Sequence, residues 1–170
     1  ESLFGQLLSK ARIPVVSSRY THDIVGNVPL YFGYIGSHGT RVATFVLSKA
    51  DLIVSIGNRL SFPISSDSYK SIVKNAKFIR LETDGGELER EIPDSMIYQT
   101  DLKPFFESML SEDFCYGNHQ EWVKVCDTIK HKLKEEDMNT AVSSIKDVLK
   151  QMPNESIVVN DVGNNEFWDL

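Results

Sequence analysis

Cysteine is nearly absent from this chain of 170 residues. Its two cysteines are Cys115 and Cys126, and neither lies in a Cys-x-x-Cys pair or has a histidine at the spacing of zinc ligands. Disulfide frameworks and structural zinc sites need several such residues at regular spacing. The sequence therefore predicts two reduced thiols and no metal site.

Long apolar runs and basic residues are also scarce. No apolar stretch approaches the roughly 18 residues that a membrane span needs, and residues 1–11 lack the basic and apolar regions of a signal peptide. Lysine and arginine number 18 against 24 aspartates and glutamates, for a net charge of -6. A duplex nucleic-acid surface needs clustered positive charge. We therefore expect a cytoplasmic protein that binds neither membranes nor nucleic acids.

What the chain does have is an alternation of strand and helix patterns. Apolar or β-branched runs predict strands at Ile13–Ser18, Asp51–Ile56, Lys77–Glu82 and Ser95–Gln99. Helical patterns separate most of them, whereas residues 19–36 show no clear period and are interpreted as a long loop. Such alternation predicts an α/β fold, a doubly wound parallel sheet with helices on both faces. The Asp51–Ile56 strand has almost no polar alternation, so we expect it to be covered on both faces.

The pattern divides the chain into three parts. Residues 1–112 form the α/β domain, and its first strand is expected upstream because the chain begins within a helical pattern. Residues 113–154 carry two amphipathic helices, with apolar stripes through Trp122 and Ile145, and are predicted to be a helical linker. Residues 155–170 open with a predicted buried strand at Ile157–Val159 and are expected to be the truncated start of a second α/β domain.

The most informative motif is a glycine-rich loop, a helix and a buried strand in succession. The loop is Gly33-Tyr-Ile-Gly-Ser-His-Gly39, and the helix that follows runs to Lys49, with Ser37 or Thr40 placed to cap its start. The strand ends at Gly57 with Arg59 close behind. This order is typical of sites for phosphate-bearing ligands. The alternative is that the glycines only allow a tight loop.

Other polar residues near the motif receive simpler interpretations. His38 is expected to cap the helix or to lie at the surface, and no catalytic residue is predicted. His22 is expected at the surface, with contact to a neighbouring domain as the alternative. The acidic run Glu87–Glu91 is interpreted as a solvated helix face.

Several segments together resemble the central domain of thiamine diphosphate-dependent enzymes, and among them the acetolactate synthase large subunit group. The segments that carry the resemblance are Ile13–Val16, Pro29–Gly33, Gly36–Gly39, Ala50–Gly57 with Arg59, and Ala76–Asp84. Separately, Glu155–Trp168 resembles the opening strand and turn of that family's diphosphate-binding domain. The resemblance covers about residues 1–110 and 139–170, with a variable linker between them.

The resemblance implies a scaffold domain whose chemistry lies elsewhere. In this family thiamine diphosphate and Mg²⁺ bind between an amino-terminal and a carboxy-terminal domain of two subunits, so the full-length parent would use both cofactors. The activating glutamate would lie upstream and the Gly-Asp-Gly and Asn ligands of the metal downstream. The turn at Val162, Gly163, Asn164 and Asn165 would approach the cofactor's diphosphate, although the two asparagines replace the family's Gln and His.

Acetolactate synthases also bind FAD in the central domain, and the resemblance implies a site for it here. Gly36, His38 and Gly39 would let the backbone approach the nucleotide, and Gly57 and Arg59 would meet its ribityl and phosphate part. The adenosine end would lie near Glu82, Asp84 and Asp101. Three segments depart from the family pattern: Leu60–Pro63, Glu82 where aspartate is usual, and Arg19–His22 in place of a glycine-rich segment. Loss of FAD binding is therefore the alternative to a retained site.

The expected function is therefore that of a non-catalytic fragment of an acetolactate synthase-like enzyme acting on a 2-oxo acid. The parent would decarboxylate this acid and join it to a second carbonyl, while the fragment alone would be inactive. Its partners would be the remaining domains of the parent enzyme and further copies in a homo-oligomer, a dimer or a tetramer. The alternatives are a stand-alone FAD- or NAD-binding module and a thiamine diphosphate-dependent 2-oxo acid decarboxylase.

Overall fold

The computed structural model describes residues 2–36, 39–60, 74–89, 92, 94–112, 116–136 and 140–159. The chain divides into two compact units, Glu1–Thr128 and Ile129–Leu170. The regular elements that follow one another along it are α1 (Leu3–Ala11), β1 (Val15–Ser18), a 3₁₀ helix (Arg19–Thr21), α2 (His22–Val25), β2 (Tyr31–Ile35), α3 (Arg41–Lys49), β3 (Leu52–Ile56), β4 (Lys77–Glu82), a second 3₁₀ helix (Gly85–Glu89), β5 (Ser95–Gln99), α4 (Leu102–Ser111), α5 (Gln120–Glu136) and α6 (Thr140–Gln151).

The strands of the first unit are all parallel to their neighbours. β3 pairs with β4 and β4 with β5 in unbroken register, with Val54 opposite Ile79 and Ile79 opposite Met96. β1 pairs with β2 in a separate sheet of two strands, with an irregularity between Val15 and Ser17. The predicted α/β class with parallel strands is confirmed.

The long loop predicted over residues 19–36 is wrong. This segment contains a 3₁₀ helix, α2 and strand β2. The strand pattern was obscured because Gly33 lies in the middle of β2, at φ +101°, where an added Cβ would meet the Thr40 hydroxyl oxygen. Glycine weakens a strand pattern but permits this close approach of the residue that caps the next helix.

Helix α3 covers one face of both sheets. The Thr40 hydroxyl caps it by accepting a hydrogen bond from the Ala43 amide at 3.2 Å, as the sequence predicted for Ser37 or Thr40. Its buried Ala43 and Leu47 join a core cluster with Ile35 of β2 and Phe78 of β4. The partly buried residues packed against this cluster include Val16 of β1 and Ile53 of β3. One helix therefore gives the two sheets a common core.

The opposite face carries α2, and α1 packs against α4. Phe4 of α1 lies 5.5 Å from Phe106 of α4 between ring centroids, and the Lys10 ammonium donates to the Leu110 carbonyl at 3.1 Å. Ile35 of β2 packs against α3, so the preceding residue, Tyr34, points to the other face of the sheet. The His22 ring of α2 contacts Tyr34 on that face. Helices thus lie on both faces, as predicted.

The expectation that β3 is covered on both faces is wrong for this chain. Leu52 and Val54 point to the face opposite α3, and they are 49% and 42% exposed. The side chains of Met96 and Tyr98 on β5 lie on the same face and are also exposed. The uncovered residues form an apolar strip across the three-stranded sheet.

The start of α5 packs in the first unit. The Trp122 ring stacks on Phe45 of α3 at 6.2 Å between centroids, and Cys126 is completely buried beside Phe32 and Val46. The apolar stripe through Trp122 is therefore a packing surface, as predicted. Burial raises the pKa of Cys126 to about 11, and the charge of Asp127 acts in the same direction.

The second unit contains the end of α5 and the amphipathic helix α6. Residues 152–159 follow α6 without a regular strand, and Ile157 and Val159 are almost fully exposed. The buried strand predicted at Ile157–Val159 is not formed in this chain. An isolated strand has no partner for its backbone groups, so its apolar pattern alone cannot stabilise it. Among the described helices, none is long and apolar enough to cross a membrane.

The burial of Cys126 predicts an unreactive thiol. In a Cys115→Ser variant, which leaves Cys126 as the one thiol, a pKa near 11 leaves roughly a thousandth of the groups as thiolate at pH 8. We expect Ellman's reagent at pH 8 to react at least about 100-fold more slowly with the folded chain than with the chain in urea. Equal rates in the two conditions would contradict the burial of this side chain.

Candidate functional site

The carboxyl ends of β3, β4 and β5 bring five of the predicted site residues to one edge. The Gly57 amide donates to the Leu81 carbonyl at 2.8 Å, and the Thr100 amide donates to the Glu82 carbonyl at 2.9 Å. These bonds extend the ladder one residue past each strand and align the three strand ends. Gly57, Arg59, Glu82, Asp84 and Asp101 consequently lie along the same edge, the edge at which parallel sheets bind ligands.

Gly57 leaves its surroundings open. Its φ of +59° is a conformation that favours glycine, and among the described residues an added Cβ would meet only the Leu102 side chain, at 3.6 Å. Leu60 also has a positive φ and is buried, and its amide bonds the Asn58 side chain at 2.9 Å. The chain therefore turns sharply after β3 and leaves the Gly57 backbone accessible at the edge.

Arg59 forms an ion pair with Glu87, an acid that the sequence pattern assigned to a solvated helix face. Its Nε lies 3.6 Å from Oε1 of Glu87, whose side chain is only 20% exposed. The interpretation of Glu87 as part of a solvated helix face is therefore wrong. The 3₁₀ helix folds back over the sheet edge, which turns this carboxylate toward the end of β3.

Arg80 holds the same 3₁₀ helix through a hydrogen bond from strand β4. This residue of β4 is 1% exposed, and its Nη2 donates to the Glu87 carbonyl at 2.9 Å. A buried guanidinium needs such acceptors to offset the loss of water. Sequence reasoning missed Arg80 as a site residue, although an arginine in an otherwise apolar strand is a signal that it must be paired inside the fold.

Glu82 presents an acceptor that no described residue uses. Its Oε1 accepts a hydrogen bond from the Thr83 amide at 2.9 Å, while Oε2 is buried and has no hydrogen-bond partner among the described residues. Buried polar atoms are nearly always satisfied. A ligand hydroxyl, such as that of a ribose, is the type of donor that would satisfy this oxygen.

The two aspartates at this edge have different local roles. Oδ1 of Asp84 accepts a hydrogen bond from the Gly86 amide at 2.9 Å and so fixes the turn into the 3₁₀ helix. Asp101 stands at the start of α4 but makes no capping bond with its side chain. Asp84 is thus used by the fold itself, whereas the exposed Asp101 carboxylate remains at the edge.

The glycine-rich loop after β2 is explained in part by its own geometry. The Gly39 amide donates to the Gly36 carbonyl at 2.9 Å, and a Cβ on Gly39 would lie 2.6 Å from the Tyr34 carbonyl oxygen. The loop therefore requires glycine at position 39 whether or not a ligand binds. Gly36 has a φ of +132°. His38 and the predicted diphosphate turn at Val162, Gly163, Asn164 and Asn165 lie outside the described residues.

A second polar cluster lies on the face opposite α3. The Tyr31 hydroxyl is 2.8 Å from Ser17 Oγ and 2.8 Å from His22 Nδ1. Burial raises the pKa of Tyr31, against a smaller opposing effect of Ser17. His22 therefore has a structural contact as well as surface exposure, because its ring connects α2 to the start of β2. Among the described residues, no three His, Cys, Asp or Glu side chains converge to hold a metal ion.

Comparison with known families shows to which family the α/β part of the chain belongs. A profile described as "Thiamine pyrophosphate enzyme, central domain" matches residues 1–109, which is more than half of the chain. The chain belongs to this family. The match covers the five described strands and ends within α4.

Curated relatives of this thiamine pyrophosphate enzyme domain include acetolactate synthase large subunits. A probable acetolactate synthase large subunit of Methanococcus aeolicus is 26% identical over 96% of the chain and 31% of its own length. The isozyme 2 large subunit of Escherichia coli K12 is 21% identical over 85% of the chain and 26% of its own length. The large subunit of Cyanidium caldarium is 23% identical over 96% of the chain and 30% of its own length.

The chain spans between about a quarter and a third of the relatives that it matches. The predicted resemblance to the acetolactate synthase group is confirmed. Two of the three alignments reach over 96% of the chain and thus extend beyond the central domain into the helical segment.

The two arginines that meet Glu87 should differ sharply in their effect on stability. Arg59→Ala removes an exposed ion pair and should lower the free energy of unfolding by less than about 1 kcal/mol. Arg80→Ala removes a buried charge-assisted hydrogen bond and leaves a cavity, and should cost about 2–4 kcal/mol. Urea unfolding followed by circular dichroism measures both, and equal losses would contradict the buried role of Arg80.

Proposed function

We propose that this chain is the central, non-catalytic part of a longer thiamine diphosphate-dependent enzyme of the acetolactate synthase type. The observation that carries the proposal is the central-domain match over residues 1–109, joined to relatives that are acetolactate synthase large subunits. The described edge has glycines, an arginine and acids but no nucleophile paired with a general base. Such an arrangement binds and positions rather than catalyses.

The proposed reaction of the whole enzyme joins two 2-oxo acids. In the first acid the bond between carboxylate and carbonyl carbon breaks and CO₂ leaves. The electron pair of that bond then forms a carbon–carbon bond to the carbonyl carbon of the second acid, whose carbonyl oxygen takes up a proton. Thiamine diphosphate, held with Mg²⁺, supplies the electron sink for this step when bound. The residues of the present chain hold the flanking domains at their working separation. In the alternative 2-oxo acid decarboxylase, a proton replaces the second carbonyl.

The full-length protein and the isolated chain separate these proposals. With pyruvate, thiamine diphosphate and Mg²⁺, we expect the full-length protein to form acetolactate and the 170-residue chain to show no turnover. Colorimetric detection of acetoin after acid treatment measures the product, and omission of thiamine diphosphate is the control. Acetaldehyde as the sole product would favour the decarboxylase, and turnover by the isolated chain would refute the non-catalytic assignment.

The edge of β3 to β5 is also proposed as a site for FAD. The buried Oε2 of Glu82, which has no partner among the described residues, could accept a hydrogen bond from a ribose hydroxyl. Gly57 has no side chain and leaves space for the ligand next to the protein backbone. Arg59 would meet a phosphate, since its exposed ion pair with Glu87 is weak enough to be exchanged. The glycines and His38 of the loop after β2 would complete the nucleotide side, and Asp101 and Asp84 would lie toward the adenosine. A stand-alone FAD- or NAD-binding module is the alternative.

Flavin fluorescence of the full-length protein tests this site. Arg59→Ala should weaken FAD binding about 10-fold or more, because a charged hydrogen bond to phosphate is lost. Glu87→Gln should tighten FAD binding, since Arg59 would no longer pair with a competing carboxylate. Glu107→Gln, which breaks the exposed pair with Lys103 on α4, is the matched control and should change nothing.

Absence of quenching in the unaltered protein at micromolar concentration would remove the FAD proposal and leave the synthase proposal intact. FAD bound by a full-length protein that does not bind thiamine diphosphate would instead favour the stand-alone nucleotide module.

We further propose a homo-oligomer, dimer or tetramer, in the cytoplasm. Thiamine diphosphate sites of the proposed type lie between two subunits, which requires at least a dimer. The cytoplasmic location is supported by the scarcity of cysteine, since neither thiol lies at the spacing of a disulfide framework.

A further inference from the structure

Strand β5 forms one edge of the three-stranded sheet. It pairs with β4 on one side, and no described strand pairs with it on the other. The Thr100 amide donates to the Glu82 carbonyl at 2.9 Å, so the even-numbered residues of this strand direct their backbone groups at β4. Because the backbone groups of alternate residues point to opposite edges of a strand, the amides and carbonyls of Ser95, Ile97 and Gln99 point outward.

This edge lacks the features that usually keep an edge strand from pairing. Exposed edges are normally protected by charged residues, by proline or by a bulge. No charged residue or proline lies between Asp94 and Asp101, and β5 pairs with β4 in regular register. Met96, Ile97 and Tyr98 are 46%, 42% and 52% exposed, so both faces of the strand are apolar and accessible. An uncharged, regular strand of this kind is a template for another strand.

The outward backbone groups are arranged symmetrically about Ile97. Opposite an antiparallel copy of the strand, Ile97 would face Ile97 and exchange two hydrogen bonds with it, because its amide and carbonyl both point outward. Ser95 would face Gln99 in the next bonded pair. The Ser95 amide already donates to the Ile92 carbonyl at 3.2 Å, which leaves the Ser95 carbonyl for the copy. The outward residues of β5 therefore match their own antiparallel image.

The side chains of β5 also suit an antiparallel copy. Met96 would lie opposite Tyr98 in the non-hydrogen-bonded pairs on either side of Ile97, where side chains across an antiparallel ladder are closest. A methionine sulfur against an aromatic ring is a favourable contact. Like charges would not oppose each other, since Asp94 would lie opposite the uncharged Thr100.

We propose that β5 is an interface between two copies of this protein, which pair antiparallel along this strand around a two-fold axis at Ile97. Such an isologous contact is the commonest kind in homo-oligomers. It joins the three-stranded sheets of the two copies into one continuous sheet and covers the apolar side chains of both edges. The pairing rests on the strand alone, whereas its place in the assembly rests on the proposed function. If the proposed thiamine diphosphate site holds two subunits together, the β5 contact joins two such dimers into a tetramer.

Opposite charges at Ile97 test the pairing in the full-length protein. Ile97→Lys and Ile97→Glu each place like charges directly opposite one another at the two-fold axis, which is unfavourable. Native mass spectrometry and sedimentation at micromolar concentration should then show assemblies of about half the mass of the unaltered protein. A mixture of the two variants sets a lysine against a glutamate and should recover the full mass. Ile24→Lys, at a residue of α2 that is 73% exposed, is the matched control and should leave the mass unchanged.

Cysteine cross-linking tests the register of the two strands. Residues 96 and 98 of different copies would form a pair whose Cα atoms lie about 4.5 Å apart, which is within the range of a disulfide. Under mild oxidation, a mixture of full-length Met96→Cys and full-length Tyr98→Cys should therefore form this cross-link, identified by peptide mass spectrometry. Each variant alone is the control and should form far less, because its own cysteines would be two residues out of register.

Three results would overturn the proposal. An unchanged mass after Ile97→Lys would mean that the edge does not hold copies together. Failure of the mixed Ile97 variants to recover the mass would mean that the substitutions act on folding and not on pairing. Slow hydrogen exchange of the Ile97 and Gln99 amides in a protein diluted until it has dissociated would mean that another segment covers the edge. A full-length protein that assembles through β5 but makes no acetolactate would refute the proposed function and leave the interface intact.

Discussion

The packing of α3 against strands of two sheets is the contact on which the rest of the structure depends. Ala43 is fully buried, and Leu47 lies beside it against Ile35 and Phe78. The small alanine side chain lets the helix approach closely, and the larger residues fill the space around it. Because these contacts fix both sheets relative to one helix, the loop after β2 and the edge of β3 to β5 both follow from them.

Pairing of buried charge shapes the candidate site. Arg80 cannot be buried in β4 without acceptors, and the Glu87 carbonyl provides one. Once the 3₁₀ helix is held there, the Glu87 side chain reaches Arg59 at the end of β3. The same edge therefore contains Arg59, which already pairs with Glu87. It also contains a second acid, Glu82, whose Oε2 has no hydrogen-bond partner among the described residues. Ligand affinity at this edge would depend on exchange between these partners as much as on direct attraction.

The family assignment gives this arrangement a role that the edge residues alone do not express. A thiamine pyrophosphate enzyme central domain is matched over residues 1–109, and the chain spans at most about a third of its relatives. In the proposed enzyme, the packed core of such a domain would set the distance between its neighbours.

The sequence by itself determined the elements whose signals are local. The strands at Asp51–Ile56, Lys77–Glu82 and Ser95–Gln99 and the Thr40 cap were predicted correctly, because apolar runs and capping hydroxyls act over a few residues. The approach of Thr40 to Gly33, which hides β2 within an apparent loop, and the pairing of Glu87 with Arg59 were decided by tertiary structure. The partners in these contacts lie on different elements, and the physical reason is that hydrogen bonds and ion pairs depend on distance in space, which a pattern along the chain does not encode.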